Sequence, residues 1–250
     1  MKYIQSAKNT QVKQWKKLLS KKGRDEFGTY LLEGFHLVEE ALKYKEQIDE
    51  IIVNEEVELP QSWVYDDVPL TMVSKEVAKV LSDTGTTQGV FAICQQQRKT
   101  FEFNQGTYLL LDGVQDPGNI GTMIRTADAA GIDAVILGKG TVDLYNPKLL
   151  RSAQGSHFHL SVFHYDLVKW IEGCKSMKIP VYGTALENAI EFGSVSPQES
   201  FALVVGNEGN GVSDEILQKT DQNLYIPIRG RAESLNVSVA AGVLLYHLKN

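Results

Sequence analysis

The chain has 250 residues, and 43% of them are hydrophobic, which is enough for one large domain or two modest ones. Its two cysteines, Cys94 and Cys174, stand alone in the sequence, so neither a disulfide framework nor a zinc site is indicated. No apolar run approaches the ~20 residues of a membrane span, and the N-terminus lacks the apolar segment of a signal peptide. We therefore expect a cytoplasmic protein.

The net charge of −6 is distributed unevenly along the chain. Residues 1–24 hold eight basic side chains and no acidic one, so the rest of the chain carries −14. This asymmetry predicts a basic arm that contacts a polyanion, although a solvated helix face would have the same composition. The candidate phosphate contacts are Lys13, Lys16, Lys17 and Arg24.

Residues 1–95 predict a small α/β domain. The first helix places Val12, Trp15, Leu18 and Leu19 on one face. Short apolar strands and helices then alternate, with strands predicted at 29–34, 48–53, 70–73 and 89–94 and helices at 35–43 and 75–81. Residues 96–106 are polar and aperiodic, and we interpret them as a linker.

Residues 107–250 predict a second domain in which strands and helices alternate strictly. Strands are predicted near 108–111, 134–137, 160–163, 181–184, 203–205 and 224–228. Helices are predicted after the caps Asn119, Asn146, Asp166 and Ser213, and near the C-terminus after Ser234 or Asn236. Strict alternation indicates an α/β fold with a mostly parallel sheet, which binds ligands at the carboxyl ends of its strands.

Three histidines, His157, His159 and His164, raise the question of a metal site. His157 and His159 would share one face of a strand, but no carboxylate or cysteine completes a ligand set. We interpret all three as ordinary strand histidines and expect no metal.

Three further stretches combine small and polar residues next to predicted strands. The first runs from Asn119 to Arg125 as N-x-G-x-x-x-R, and the third is Ser-Leu-Asn-Val-Ser at 234–238, after a basic Arg-Gly-Arg turn at 229–231. The second is the loop Gly-Asn-Glu-Gly-Asn-Gly at 206–211, which is neither a P-loop nor a G-x-G-x-x-G fingerprint. Taken singly, the first two are also compatible with a helix cap beside a surface arginine and with a plain turn.

In order and spacing, these motifs resemble those of the SpoU (TrmH-like) branch of the SPOUT RNA methyltransferases, and they lie within Leu109–Leu248. The pattern around Leu31–Gly34 is similar to the L30e-like substrate-binding domain that often precedes the SpoU domain. The resemblance implies a trefoil knot and transfer of a methyl group from S-adenosylmethionine to a ribose 2′-hydroxyl of RNA, bound in part by the basic arm. It also implies a homodimer through the C-terminal domain, for which we expect the helix face of Leu244, Leu245 and Leu248.

The resemblance assigns catalytic roles to five residues. The family mechanism gives Arg125 the role of activating the hydroxyl, with a role as base among the options. Because an arginine does not normally deprotonate in a protein, we favour Arg125 as the residue that holds the neighbouring phosphate and stabilises the developing oxyanion. The other four would orient Arg125 and the ribose; they are Asn119, Glu208, Ser234 and Asn236. The group that takes the hydroxyl proton is left open.

The cofactor is held mainly by backbone groups in this family. The positions that match its cofactor residues are Gly206, Ile226 and Leu235, and Thr184 at the end of a predicted strand is a weaker candidate. Ile228 departs from the family, because relatives often carry methionine there, but the change is conservative.

Relatives with this architecture mostly act on large-subunit (23S) ribosomal RNA, so we expect that substrate. The alternatives are a tRNA 2′-O-methyltransferase and a non-catalytic RNA-binding or assembly factor on the same fold. A non-catalytic protein is expected to have lost Asn119, Arg125 or Glu208, and all three are present. A nucleotide-dependent enzyme would need phosphate-binding and metal-binding motifs that the sequence lacks.

Overall fold

The computed structural model describes residues 2–97 and 103–249, so residues 98–102 of the predicted linker lie outside it. The chain divides into two compact units, one of residues 1–98 with 145–158 and one of residues 99–144 with 159–250. The predicted domain boundaries stay a prediction. No helix among the described residues is long and apolar enough to cross a membrane.

The first unit is built on a mixed sheet with the strand order β1-β4-β3-β5-β2. Its strands are β1 (Lys2–Ile4), β2 (Thr29–Glu33), β3 (Ile48–Asn54), β4 (Leu70–Val73) and β5 (Val90–Gln95). Its first four helices are α1 (Thr10–Lys17), α2 (Lys21–Phe27), α3 (Phe35–Lys43) and α4 (Lys75–Leu81). The predicted apolar stripe of α1 packs on one face of the sheet, with Val12, Trp15 and Leu18 buried.

The second unit is built on a sheet in which every strand pair is parallel, in the order β10-β12-β9-β11-β6-β7-β8. The strands are β6 (Thr107–Asp112), β7 (Ala134–Leu137), β8 (Ser161–His164), β9 (Val181–Thr184), β10 (Ala189–Glu191), β11 (Phe201–Gly206) and β12 (Gln222–Tyr225). The helices in this part of the chain are α5 (Pro117–Ala129), α6 (Pro147–Ala153), α7 (Ser156–His159), α8 (Leu167–Ser176), α9 (Asp214–Leu217) and α10 (Val237–Lys249). The predicted mostly parallel α/β fold is confirmed, and the trefoil knot stays a prediction.

Helix α6 packs into the first unit although it lies between strands of the second. Leu150 and Phe158 join the core beneath Tyr30, and Arg151 forms an ion pair with Asp83. This placement could not be predicted from local sequence, because the contacts of α6 depend on residues more than 60 positions away.

Two predicted boundaries are wrong, and proline explains both. Helix α5 begins at Pro117 after the cap Asp116, whose Oδ1 accepts a hydrogen bond from the backbone N–H of Asn119 at 2.9 Å. Asn119 is therefore the third residue of the helix and not its cap, and proline suits the first helical position because it has no N–H to satisfy. Strand β12 ends at Tyr225 and does not reach Ile228, since Pro227 cannot donate to a ladder.

The histidine interpretation also needs correction. His157 and His159 lie on the short helix α7 and share no strand face. His159 places Nδ1 2.9 Å from a carboxylate oxygen of Asp128, and His157 is buried. The strand predicted near 160–163 is β8, which begins at Ser161. Residue Leu160 lies between the end of α7 at His159 and this strand.

Helix α10 is apolar on all sides, and only part of it is covered by its own unit. Asn236 rather than Ser234 caps it, because its Oδ1 accepts from the backbone N–H of Ser238 at 2.9 Å. Its inward face is fully buried and consists of Ala241, Leu244, Leu245 and Leu248. The predicted dimer face of Leu244, Leu245 and Leu248 is therefore wrong, since these side chains already fill the core of the unit.

Candidate active site

The site lies where parallel strands end together. Strands β6 and β11 are neighbours, and the last residue of each, Asp112 and Gly206, stand opposite one another. The loops that follow them therefore leave the sheet side by side at its carboxyl edge. Asp112 fixes the far end of the second loop, because its Oδ2 accepts from the backbone N–H of Ser213 at 2.8 Å.

The glycine loop 206–211 is closed on itself. Asn207 and Gly211 exchange two backbone hydrogen bonds of 2.9 Å, and the Asn207 Oδ1 accepts from the backbone N–H groups of Gly209 and Asn210. The Asn207 Nδ2 donates to the carbonyl of Gly113 at 3.0 Å, which ties this loop to the one after β6. The closed loop holds Glu208 in a defined position.

Only glycine fits at position 206 without a steric clash. It is buried, and a Cβ built on it would lie 2.0 Å from the carbonyl carbon of Gly211. Any larger residue would displace the closed loop together with Glu208. A substitution of Gly206 therefore disturbs folding and ligand binding at once, so it cannot separate the two.

The Glu208 carboxylate accepts hydrogen bonds from three N–H groups at and just before the start of α5. It accepts from the Asn119 Nδ2 at 3.1 Å, from the backbone N–H of Asp116 at 3.1 Å and from that of Gln115 at 3.2 Å. Partial burial alone raises the pKa of Glu208, but these hydrogen bonds, with that of Asn119 the largest, outweigh it and lower the pKa below its usual value. The carboxylate is therefore ionised at neutral pH.

A second hydrogen bond extends this group to the third motif. The Asn236 Nδ2 donates to the Asn119 Oδ1 at 3.0 Å, while the Asn236 Oδ1 accepts from the backbone N–H and the hydroxyl of Ser238 at 2.9 and 2.6 Å. Three of the five predicted catalytic residues, Asn119, Glu208 and Asn236, thus form one chain of hydrogen bonds across all three motifs. We call this chain the amide–carboxylate network.

The other two predicted catalytic residues, Arg125 and Ser234, are not joined to this network. Arg125 is exposed on α5, and no hydrogen bond or ion pair links its side chain to any other residue that the structure describes. Ser234 is exposed two residues before Asn236 and likewise makes no hydrogen bond within the described chain. Their catalytic roles stay predictions.

The predicted cofactor residues flank the same edge of the sheet. Gly206 and Thr184 end the neighbouring strands β11 and β9, and the Thr184 hydroxyl donates to the carbonyl of Val204 at 3.1 Å. Ile226 is half-buried just after β12, and Leu235 is 38% exposed before α10. Within the described residues, no hydrogen bond involves residues 226–235. This segment therefore has free backbone donors and acceptors beside apolar side chains, which fits a nucleoside ligand bound mainly by backbone.

The predicted RNA-binding residues divide into exposed and buried members. Lys13 and Lys16 are exposed on α1, and Lys17 is exposed but lies 3.4 Å from Glu26. The prediction that Arg24 contacts a phosphate is wrong, because Arg24 is only 2% exposed and its guanidinium donates to the carbonyl of Leu18 at 2.8 Å. Arg24 joins α2 to α1 and cannot reach a phosphate in this position.

Sequence reasoning missed three residues that build the site. The first is Asp116, although the order Asp-Pro is itself the signature of a cap before a proline at the first helical position. Asn207 and Ser238 were read only as members of small-residue motifs. The hydrogen bonds of both are local, so an asparagine before a glycine loop was the available signal for Asn207.

A parallel sheet whose carboxyl edge carries a closed glycine loop, an ionised carboxylate and a backbone segment without internal hydrogen bonds fits an α/β enzyme that binds a nucleoside-containing ligand at this edge. The comparisons with known proteins give the family. A model of the SpoU rRNA Methylase family matches residues 106–246, and one of the MRM3-like substrate binding domain matches residues 9–92. The chain belongs to the SpoU rRNA methylase family, and the predicted class of S-adenosylmethionine-dependent RNA 2′-O-methyltransferase is confirmed.

Similar proteins cover the whole chain. It is 50% identical over 249 residues to the 23S rRNA (guanosine(2553)-2′-O)-methyltransferase RlmP of Bacillus subtilis, with 100% of both chains covered. The AdoMet-bound rRNA methyltransferase from Sinorhizobium meliloti has a TM-score of 0.88 at 29% identity, covering 99% of this chain and 97% of that one. The SpoU methyltransferase AviRb from Streptomyces viridochromogenes, in complex with AdoMet, has a TM-score of 0.85 at 25% identity, covering 96% and 97%.

Proposed function

We propose that this protein methylates the 2′-hydroxyl of one guanosine of 23S rRNA, the counterpart of guanosine 2553 in its relative, and that it does so in the cytoplasm as a homodimer. The observation that carries the proposal is the amide–carboxylate network, which unites all three motifs at the sheet edge in a chain 50% identical to an enzyme of that name. Identity over the full length includes the substrate-binding half, which favours the same substrate.

S-adenosylmethionine supplies the activated methyl group, and the residues of the chain bind this cofactor and orient the ribose. Segment 226–235 contributes backbone groups and the apolar side chains of Ile226 and Leu235. Methyl transfer is an in-line displacement, so holding the ribose in one orientation provides much of the rate. Asn119 is held by hydrogen bonds on both sides of its amide, and we assign it and Asn236 to the orientation of the ribose.

Arg125 and Glu208 take different electrostatic roles in this proposal. Glu208 is a poor general base, because its pKa is lowered and its oxygens already accept three N–H groups. It therefore serves as the fixed end of the network. Arg125 is exposed and unpaired within the described residues, so its guanidinium is available to a substrate phosphate and to the oxyanion that forms on the ribose.

The dimer rests on the outer face of α10. Val239, Val243 and Tyr246 follow the i, i+4, i+7 spacing of one helical face and are 52%, 38% and 49% exposed. A stripe of this kind on a helix that is otherwise buried is typical of a surface covered by another chain. We assign it to a second copy of this protein.

The test uses unmodified 23S rRNA transcribed in vitro, a mixture of tRNA transcripts, and cofactor labelled in its methyl group. We expect label in 23S rRNA at a single nucleotide that resists alkaline cleavage, at the guanosine corresponding to position 2553, and none in tRNA. Arg125→Ala should lose about 10²–10³-fold in rate while its affinity for S-adenosylhomocysteine stays within about twofold. Label in tRNA alone would support the alternative substrate, and cofactor binding without transfer to any RNA would contradict the proposed function.

A further inference from the structure

The backbone of the basic turn Arg229-Gly230-Arg231 belongs to the proposed cofactor segment, but its two arginine side chains have no role in the site described so far. The turn lies within the segment between β12 and α10 and begins four residues beyond the end of β12 at Tyr225. Because every strand pair of the sheet is parallel, this segment leaves from the same edge as the loops of Asn119 and Glu208. Just beyond it Asn236 is bonded to Asn119, so the segment that carries the turn is anchored at that end to the amide–carboxylate network.

The arginines of the described chain separate into two groups. Arg24 and Arg151 are used within the first unit, where one donates to a backbone carbonyl and the other pairs with Asp83. The remaining three, Arg125, Arg229 and Arg231, belong to the second unit, are exposed, and form no ion pair with any described residue. Among the arginines that the structure describes, the unpaired guanidinium groups thus all belong to the second unit.

The charge of the second unit makes this concentration informative. Residues 99–144 and 159–250 hold ten basic and sixteen acidic side chains, a net charge of −6, whereas the first unit is neutral with fifteen of each. An acidic unit repels RNA over most of its surface, so a polyanion can approach its catalytic edge only where positive charge is locally present. Arg229 and Arg231 supply such charge next to the network.

The surroundings of the turn leave room for a ligand. A Cβ built on Gly230 would meet no atom within 4 Å, and both arginines are exposed. Arginine is well suited to phosphate, because its planar guanidinium can donate two parallel N–H bonds to one phosphate group. A pair of arginines separated by one residue can hold two successive phosphates of one strand.

We propose that Arg229 and Arg231 form a clamp on the RNA backbone phosphates that flank the target nucleotide. The inference rests on the proposed function, since it requires that RNA be the substrate at this edge. The clamp binds RNA without reading its bases, because phosphate contacts carry no sequence information. It is distinct from the basic face of α1, which belongs to the first unit.

The experiment measures RNA binding by the full chain as a function of salt, with unmodified 23S rRNA transcript as the probe. In the double variant Arg229→Gln/Arg231→Gln, the slope of log affinity against log salt should fall by about 1.4–1.8 units, from 0.7–0.9 per phosphate contact. The Michaelis constant for RNA should rise by about tenfold or more, because two charge-assisted hydrogen bonds are lost. The affinity for S-adenosylhomocysteine and the midpoint of thermal unfolding should not change.

Two matched variants sharpen the test. Lys175→Gln/Lys178→Gln removes the same charge from the same unit, but these lysines precede β9 and lie at the opposite edge of the sheet, so the slope should stay close to that of the wild type. Arg229→Lys/Arg231→Lys should keep the slope and lose part of the affinity, since lysine retains the charge without the bidentate geometry. A glutamine double variant that methylates 23S rRNA with the wild-type slope and Michaelis constant would overturn the clamp and leave the proposed function intact. A wild-type protein that fails to methylate any RNA would instead overturn the proposed function.

Discussion

Glu208 sets the direction of the hydrogen bonds in the network. A carboxylate only accepts, so Asn119 turns its amide N–H toward Glu208 and leaves its oxygen for Asn236. Asn236 must then donate to Asn119 and keep its own oxygen for Ser238. Every donor points toward the carboxylate, and turning either amide by 180° would break bonds on both of its sides.

This direction separates two functions of Asn236 that a single variant can distinguish. In Asn236→Asp the side chain still accepts from the N–H of Ser238, and aspartate caps helices as well as asparagine does. The variant can no longer donate to Asn119 and faces its oxygen with a negative charge. We expect a rate of methyl transfer lower by roughly 10²-fold, with a free energy of unfolding within about 0.5 kcal/mol of the wild type.

The control is Asn236→Ala, which removes the cap as well. It should lose the same activity and also about 1 kcal/mol of stability. Single-turnover rates at saturating cofactor and denaturant unfolding give the two quantities separately. An aspartate variant with the wild-type rate would remove the Asn119–Asn236 bond from catalysis.

The lowered pKa of Glu208 has a consequence for stability at acidic pH. A carboxylate whose pKa is lower in the folded chain stabilises the fold at pH values above its ordinary pKa, and this contribution disappears as the pH falls through the folded value. The unfolding midpoint of Glu208→Gln should therefore lie below that of the wild type at pH 7, and the difference should close as the pH falls below the ordinary glutamate pKa of about 4.3 and through the lower folded value. Thermal unfolding between pH 7 and pH 3 measures it.

Glu199→Gln provides the comparison, because the Glu199 side chain is exposed and accepts no hydrogen bond from a described residue. Its unfolding midpoint should follow that of the wild type at every pH. If Glu208→Gln behaves in the same way, the hydrogen bonds of Glu208 do not stabilise the fold in solution.

At the scale of elements, the sequence predicted most helices and strands because their signals are local. Helices α3 and α4 begin and end at the predicted residues, and α8 begins after its predicted cap Asp166; each has a polar cap or a glycine before an apolar stripe. Errors arose where one residue type serves two purposes. Asn119 is a good cap by type, yet a neighbouring Asp-Pro pair takes that position, and Asn119 is free to bind Glu208.

The candidate site was predictable in its membership but not in its connections. Resemblance grouped Asn119, Glu208 and Asn236, whereas their hydrogen bonds join residues 89 and 117 positions apart and depend on the packing of the whole sheet. A count of charged residues also cannot predict which of those side chains are buried. Arg24 counts as a member of the basic arm by composition, but in the fold its guanidinium donates a hydrogen bond to the backbone carbonyl of Leu18, between α1 and α2.

The remaining basic arm is a surface element, and its part in RNA binding can be measured. Lys13→Gln/Lys16→Gln/Lys17→Gln removes three exposed charges from α1. We expect the slope of log RNA affinity against log salt to fall by up to about 2–3 units, near 0.9 per lost phosphate contact. The lower end applies if the pairing of Lys17 with Glu26 already competes with phosphate. Cofactor affinity should not change.

A control of equal charge removes Lys43, Lys75 and Lys79 from α3 and α4 in the same unit. Lys43 and Lys75 already pair with carboxylates, so this variant should lose little of the salt dependence. A wild-type slope in the α1 variant would mean that these lysines form only a solvated helix face.

At the scale of the whole molecule, helix α10 joins the site to the proposed dimer. Its first turn holds Asn236 and Ser238 of the network, its inward face fills the core, and its outward face presents the stripe of Val239, Val243 and Tyr246. A helix that both fills the core and presents an apolar stripe to a second chain must be apolar on nearly every side, and α10 has this composition. Association of two chains through the stripe would therefore fix the helix that carries part of the site.

The dimer is tested by placing a charge in the centre of this stripe. Val243→Arg would bury a guanidinium in an apolar interface, which costs several kcal/mol unless a partner is available. We expect the wild type to show twice the chain mass of 27.8 kDa by light scattering at micromolar concentration, and the variant to show the mass of one chain. Leu244→Ala is the control, since that side chain lies in the core; it should lower stability by about 2–5 kcal/mol and leave the dimer intact. A wild-type protein of single-chain mass, or a Val243→Arg variant that remains dimeric, would show that this face of α10 is not the interface.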